Sequence, residues 1–186
     1  MGAWGPGLYS DDVTEDVRGI YVDKLHRGKN GEQASKEMIA EFEWACSDED
    51  DAPVFWFAMA DMQWNYGRLQ EEVKKKALYY LDDMKNLQRW EHENPKMAEK
   101  RKQVLNELRK KLNTLQPSEK KVSQYRLYHC QWKVGDMYAY QLEGEYAKER
   151  GLNGKYLLFY KIAESIWWPG HVIPVVYIKL TENNEI

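Results

Sequence analysis

The chain has 186 residues, 43% of them hydrophobic and 31% charged, with a net charge of −3. That length suits one domain or two small ones, and eight Trp with thirteen Tyr supply enough large apolar surface for a packed core, which argues against a disordered chain. No apolar run reaches the roughly 20 residues of a membrane-spanning helix, and residues 1–10 lack the basic start and apolar segment of a secretory signal.

Charge is segregated along the chain. Residues 1–51 carry 13 acids and 5 bases, net −8, whereas residues 96–133 carry 3 acids and 11 bases, net +8. Such regions solvate separate faces, pair with each other, or form a docking surface. Cys46 and Cys130 are far apart in sequence and fit reduced thiols rather than a disulfide framework, so a cytoplasmic location is expected.

The opening, MGAWGPGLYSDD, is neither helix nor regular strand, because Gly2, Gly5, Gly7 and Pro6 punctuate it. Its glycines match neither phosphate-loop spacing, and Pro6 stands where a myristoylation signal needs Ser or Thr. Ser10 or Asp11 caps a helix to about Arg27, with Val13, Val17, Ile20, Tyr21 and Leu25 on one side. A second helix is predicted from Gly31 to Cys46. The run Ala52–Tyr66 follows, apolar on nearly every side, with Asp50 or Asp51 as cap, Pro53 in the first turn and Gly67 as the stop. A helix of that kind is buried on most sides. Leu69–Met84 is predicted as a fourth helix with Val73, Ala77, Tyr80, Leu81 and Met84 inward, and Leu87–Glu93 as a short helical turn or loop. Asn94 then caps a basic amphipathic helix to about Leu115, with Met97, Val104, Leu105, Leu108, Leu112 and Leu115 inward. Character changes at Gln116-Pro117-Ser118. From Gln124 the pattern is strand-like, with Tyr138 and Tyr140 on one face and Met137 and Ala139 on the other. One helical turn at Glu145–Arg150 precedes two strands, Lys155–Ile162 and Ile173–Leu180.

Few residues stand out chemically. Asp61 and Asn65 share one stripe of the apolar helix, and a carboxylate there needs a partner or an exit to water. The first expectation is a bond to another segment's N–H, an Arg or a Trp indole; the alternative is a functional acid. Trp167, Trp168 and His171 are the best ligand candidates, because adjacent Trp residues cannot share a strand face and one can be left exposed for binding. Lys100, Arg101, Lys102, Arg109, Lys110 and Lys111 form a candidate basic surface able to meet phosphates, although a solvated or internally paired face is the simpler reading. Neither His26, His92, His129 and His171 nor the cysteines show metal-ligand spacing, so no metal, cofactor or catalytic residue is expected.

Residues 1–12, MGAWGPGLYSDD, resemble a bacterial family of unknown function whose members begin M-G-x-W-G-x-G-[FL]-x-x-D. That likeness implies a bacterial, cytoplasmic protein and no particular chemistry. Trp132–Tyr140, WKVGDMYAY, is similar to small β-barrels of a bacterial immunity-protein family, which implies toxin neutralisation; the insertion 143–151 departs from that pattern.

The expected fold is α+β: a helical bundle of about five helices over residues 1–116, packed against a small curled antiparallel sheet or barrel over 117–186. The expected function is non-enzymatic binding of a protein partner, with toxin immunity or defence as its setting. Two alternatives stand beside it: a small-ligand binder or enzyme using a pocket between the halves near Asp61, Trp168 and His171, and a nucleic-acid binder using helix 96–111. No membrane association is expected.

Overall fold

The computed structural model describes residues 3–127, 130–167 and 171–182, apart from the side chain of Glu93. The class is α+β, and the chain divides into two compact units, Met1–Gln124 and Tyr125–Ile186. Trp168 and His129 lie outside the described residues.

The first unit contains α1 (Asp12–His26), α2 (Gly31–Glu41), α3 (Glu43–Cys46), α4 (Asp51–Asn65), α5 (Glu71–Asp83), α6 (Lys85–Glu93) and α7 (Pro95–Leu112). Its centre is α4, buried at every position from Ala52 to Gln63. With no polar face to present to water, this helix is stable only when surrounded, and α1, α3, α5 and α7 all pack on it. Phe55 and Phe57 are fully buried, and Phe42 stacks on Phe55 at 5.5 Å. Burial of each such ring stabilises the unit by about 1.5–3 kcal/mol.

Several local expectations are refined. The first-turn N–H groups of α4 are capped by Asp48, whose Oδ1 accepts from the amides of Asp50 and Asp51; Asp50 itself makes no side-chain cap. Those two amides hold the Asp48 carboxyl below the ordinary carboxylate range. The helix expected from Gly31 to Cys46 is interrupted at Phe42, which departs from helical geometry as its ring enters the core, and so becomes α2 and α3. Met84 was expected to face inward. It is instead the left-handed junction between α5 and α6, at φ 58, and is exposed. In α7 the buried stripe is Ala98, Arg101, Leu105, Leu108 and Leu112, so Met97 and Leu115 are exposed rather than inward.

Residues 116–124 have no regular structure, yet they are tied to the helices. Gln116 accepts from the Leu69 amide at 2.7 Å, the Lys120 amide donates to Tyr66 O at 3.0 Å, and His26 meets Ser123 O at 2.6 Å. Gly67, at φ +66, lies so close to this segment that a Cβ would stand 2.4 Å from Pro117 O. Only glycine suits both the left-handed conformation and that approach.

The second unit holds β1 (Met137–Gln141), α8 (Glu145–Glu149), β2 (Tyr156–Trp167) and β3 (His171–Thr181). The strands form one antiparallel sheet in the order β1-β2-β3, an open sheet rather than a closed barrel. A bulge between Lys161 and Ala163 shifts the β2–β3 register, which places Ile162 as the extra residue. The turn 133–136 is anchored to the sheet, because the Gly135 amide donates to Lys161 O at 2.8 Å and the Lys161 amide to Asp136 O at 3.0 Å. The fully buried Lys161 ammonium donates to Trp132 O and to Glu164.

Candidate functional site

Asp61 is buried on α4 and is fully partnered. Its Oδ2 accepts from the Tyr9 hydroxyl at 2.7 Å and from Asn65 Nδ2 at 2.8 Å, and its Oδ1 pairs with Lys111 Nζ at 2.5 Å. Lys111 Nζ also donates to Asn65 Oδ1 at 2.7 Å and lies 4.8 Å from the Trp64 ring centre. The expected N–H from another segment is the Lys111 ammonium, joined by the Tyr9 hydroxyl and the Asn65 side-chain amide, and neither an Arg nor an indole takes part; the Trp64 N–H has no acceptor among the described residues. Burial, then the charge of Asp61 and the bond to it, pushes the Tyr9 phenol far above its ordinary range. A carboxylate so occupied links the segment before α1, α4 and α7.

The six residues of the candidate basic surface do not share one surface. Lys111 is engaged by Asp61, Arg109 pairs with Asp82 at 2.5 Å, and Arg101 is 3% exposed. Lys100, Lys102 and Lys110 are exposed on α7. Arg101 faces inward because α7 packs along the stripe that contains it. There its Nε donates to Asn86 Oδ1 at 3.1 Å and its Nη1 to the carbonyls of Gly7 at 3.0 Å and Pro6 at 3.4 Å. The glycine-rich opening thus has a structural role: it folds back on itself through Trp4 N to Ser10 O at 3.0 Å and offers two carbonyls to a buried guanidinium. Beside it lies a cavity of about 380 Å³ whose lining includes Trp4, Asp11, Asp51, Asn86, Trp90 and Arg101.

In the second unit, register places the side chains of the sheet. Tyr160 is opposite Tyr177, Ala163 opposite Val175, Ser165 opposite Ile173 and Trp167 opposite His171. Directly opposed residues share a face, so Trp167 and His171 are brought together at one end of a continuous stripe. All of these residues are exposed, Trp167 at 64% and Tyr177 at 61%. Between Tyr160–Tyr177 and Trp167–His171 the face carries no Lys, Arg, Asp or Glu. On the other face Val172, Pro174 and Val176 are partly covered and Lys161 is buried. Trp132, packed edge-on against Tyr138 at 4.7 Å, belongs to the same unit. Asp61 belongs to the first unit, Trp167 and His171 to the second.

Sequence reasoning did not find the Arg101 cavity. The available signal was the phase of α7, since Ala98, Leu105, Leu108 and Leu112 place position 101 on their own stripe at helical spacing. Among the described residues no group of three His, Cys, Asp or Glu side chains is placed to hold a metal ion, and no helix is long and apolar enough to cross a membrane. In comparisons with family models, curated proteins and solved structures, nothing matches this chain.

Proposed function

We propose that this is a protein-binding protein whose partner docks on the exposed face of β2 and β3. The observation that supports this reading is the composition of the face: Tyr160, Trp167, Ile173, Val175 and Tyr177 stand in solvent with no charged residue between them. Contiguous exposed apolar surface marks interaction sites, and the buried centres of protein interfaces are rich in aromatics and poor in charge. The face is favoured over the strand edge, because β3 carries Pro174, a residue that blunts edge pairing. Trp167 and Tyr177 are the expected anchors, since large aromatics dominate binding energy. A cytoplasmic setting is supported by two free cysteines. A toxin as the partner rests on the resemblance of residues 132–140 to the immunity-protein family.

The test uses the full chain carrying an affinity tag, beside Val175→Glu and Tyr177→Glu variants whose circular dichroism matches the wild type. The wild type retains a defined protein that both variants lose. Recovery of the same proteins by all three would overturn the assignment of the face, and a chain that retains nothing at low salt would overturn the function.

A further inference from the structure

The cavity beside Arg101, in the helical unit, is lined by two charged groups, Arg101 and Asp51, that have no ion-pair partner among the described residues. Arg101 is buried, and its contacts are carbonyl oxygens: Asn86 Oδ1, Pro6 O and Gly7 O. Among the described residues no carboxylate lies within ion-pair distance of it, and its Nη2 has no acceptor. Asn86, 8% exposed, spends its Oδ1 on Arg101, and its Nδ2 likewise has no acceptor among the described residues. Two N–H donors on deeply buried side chains therefore belong to the lining of one cavity. A buried guanidinium with no ion-paired anion is costly, and burial, partly opposed by the charge of Asp11, lowers this one to about 10, which still leaves it charged at neutral pH.

The same cavity is lined by Asp11, Asp50 and Asp51. Asp50 pairs with Arg89 at 3.4 Å, and Asp11 Oδ1 accepts from the Val13 amide at 2.9 Å. Asp51 has no cation within ion-pair distance among the described residues. Burial, then repulsion from Asp48, Asp11 and Asp50, raises its carboxyl above the ordinary range against the smaller opposing effect of the amino-terminal charge. A simple anion would meet three carboxylates here, and a simple cation would meet two arginines. A molecule bearing both charges answers both. Trp4, Trp90, Val54 and Met97 complete the lining with apolar surface, and about 380 Å³ is within the range of small-molecule sites, roughly 300–1,000 Å³.

We propose that this cavity binds a small zwitterion of the amino-acid class, its carboxylate on Arg101 and Asn86, its ammonium toward Asp51 and Asp11, and an apolar side chain between Trp4 and Trp90. This site is independent of the sheet face proposed above, and either can fail alone.

Isothermal titration of the full chain with leucine and phenylalanine, each at up to about 10 mM, tests the proposal. Isoamylamine and isocaproate serve as controls that each keep one charged end of leucine. The expected result is one site for at least one of the two amino acids. Each one-charge control then binds at least about tenfold weaker, as expected when each ionic contact is worth about 1.4 kcal/mol or more. Asp51→Asn, which removes a carboxylate with no ion-pair partner among the described residues and leaves the fold intact by its melting temperature, weakens the amino acid by at least about tenfold. The proposal is overturned if neither amino acid binds, if isoamylamine or isocaproate binds as tightly as leucine, or if Asp51→Asn binds unchanged.

Discussion

Replacing Asp61 with Asn tests the clamp between α4 and α7 with little change of shape. In the native chain the carboxylate accepts three bonds at 2.5–2.8 Å while its side chain is 9% exposed. Removing one partner of a buried ion pair costs about 3–5 kcal/mol, because the other charge remains desolvated. Two features reduce that figure here. Lys111 is 26% exposed and keeps Asn65 Oδ1 and the Trp64 ring. The Tyr9 hydroxyl exchanges a charged acceptor for a neutral one, a loss of about 1 kcal/mol. The sum is about 2–4 kcal/mol for Asp61→Asn. Urea unfolding followed at 222 nm reads the helical unit directly, and the midpoint shift at constant slope gives the change. Lys111→Met and the double variant complete a cycle. The double variant should cost about 1–2 kcal/mol less than the two singles added, since neither charge is then stranded. A loss below about 0.5 kcal/mol for Asp61→Asn, or strict additivity in the cycle, would refute the view that these groups form a desolvated pair.

Three further outcomes follow from the same structure. Gly67→Ala should destabilise the helical unit by about 2–4 kcal/mol, because strain at φ +66 adds to a 2.4 Å approach to Pro117 O; Gly28→Ala, at φ +87, meets only the movable Gln124 side chain and should cost about 1 kcal/mol in the same urea titration. Asp51 has a folded-state carboxyl raised above the ordinary value of 3.8, so its favourable contribution is full below that value and is lost as pH rises through the folded one. Asp51→Asn should therefore melt above the wild type at pH 7, with the gap closing as pH falls toward 3.8, and a constant gap from pH 7 to 3.5 would contradict this. Burial pushes the Cys46 thiol to about 11, leaving roughly one part in a thousand as thiolate at pH 8. Mass spectrometry after brief iodoacetamide treatment should find Cys46 unmodified until denaturant is added, and prompt labelling of the native chain would count against that burial.

Much of this architecture was legible in the residues alone. A stretch apolar on all sides, with Pro53 near its start and Gly67 at its end, had to be a central helix, and α4 is buried from Ala52 to Gln63. Asp11 and Asn94 announced helix starts through their side chains, and both accept from the expected backbone amides. Enrichment in aromatic and β-branched residues marked β3 and the first half of β2, which continues past the expected end at Ile162 to Trp167. These are local properties, set by the preferences of a few neighbouring residues.

Tertiary packing decided the rest. Within one basic helix, Lys100 and Lys102 are in water whereas Arg101 is buried, because side chains adjacent in sequence point about 100° apart and the neighbouring helices determine which direction is inward. Asp61 and Lys111 are fifty residues apart, and no local pattern pairs them. Two faces of β3 look equally apolar in the sequence; a buried Lys161 and an anchored turn leave one of them partly covered and the other, from Trp167 to Tyr177, open. Spacing along the chain determines which side chains share a face, whereas only the meeting of distant segments determines which face water still reaches.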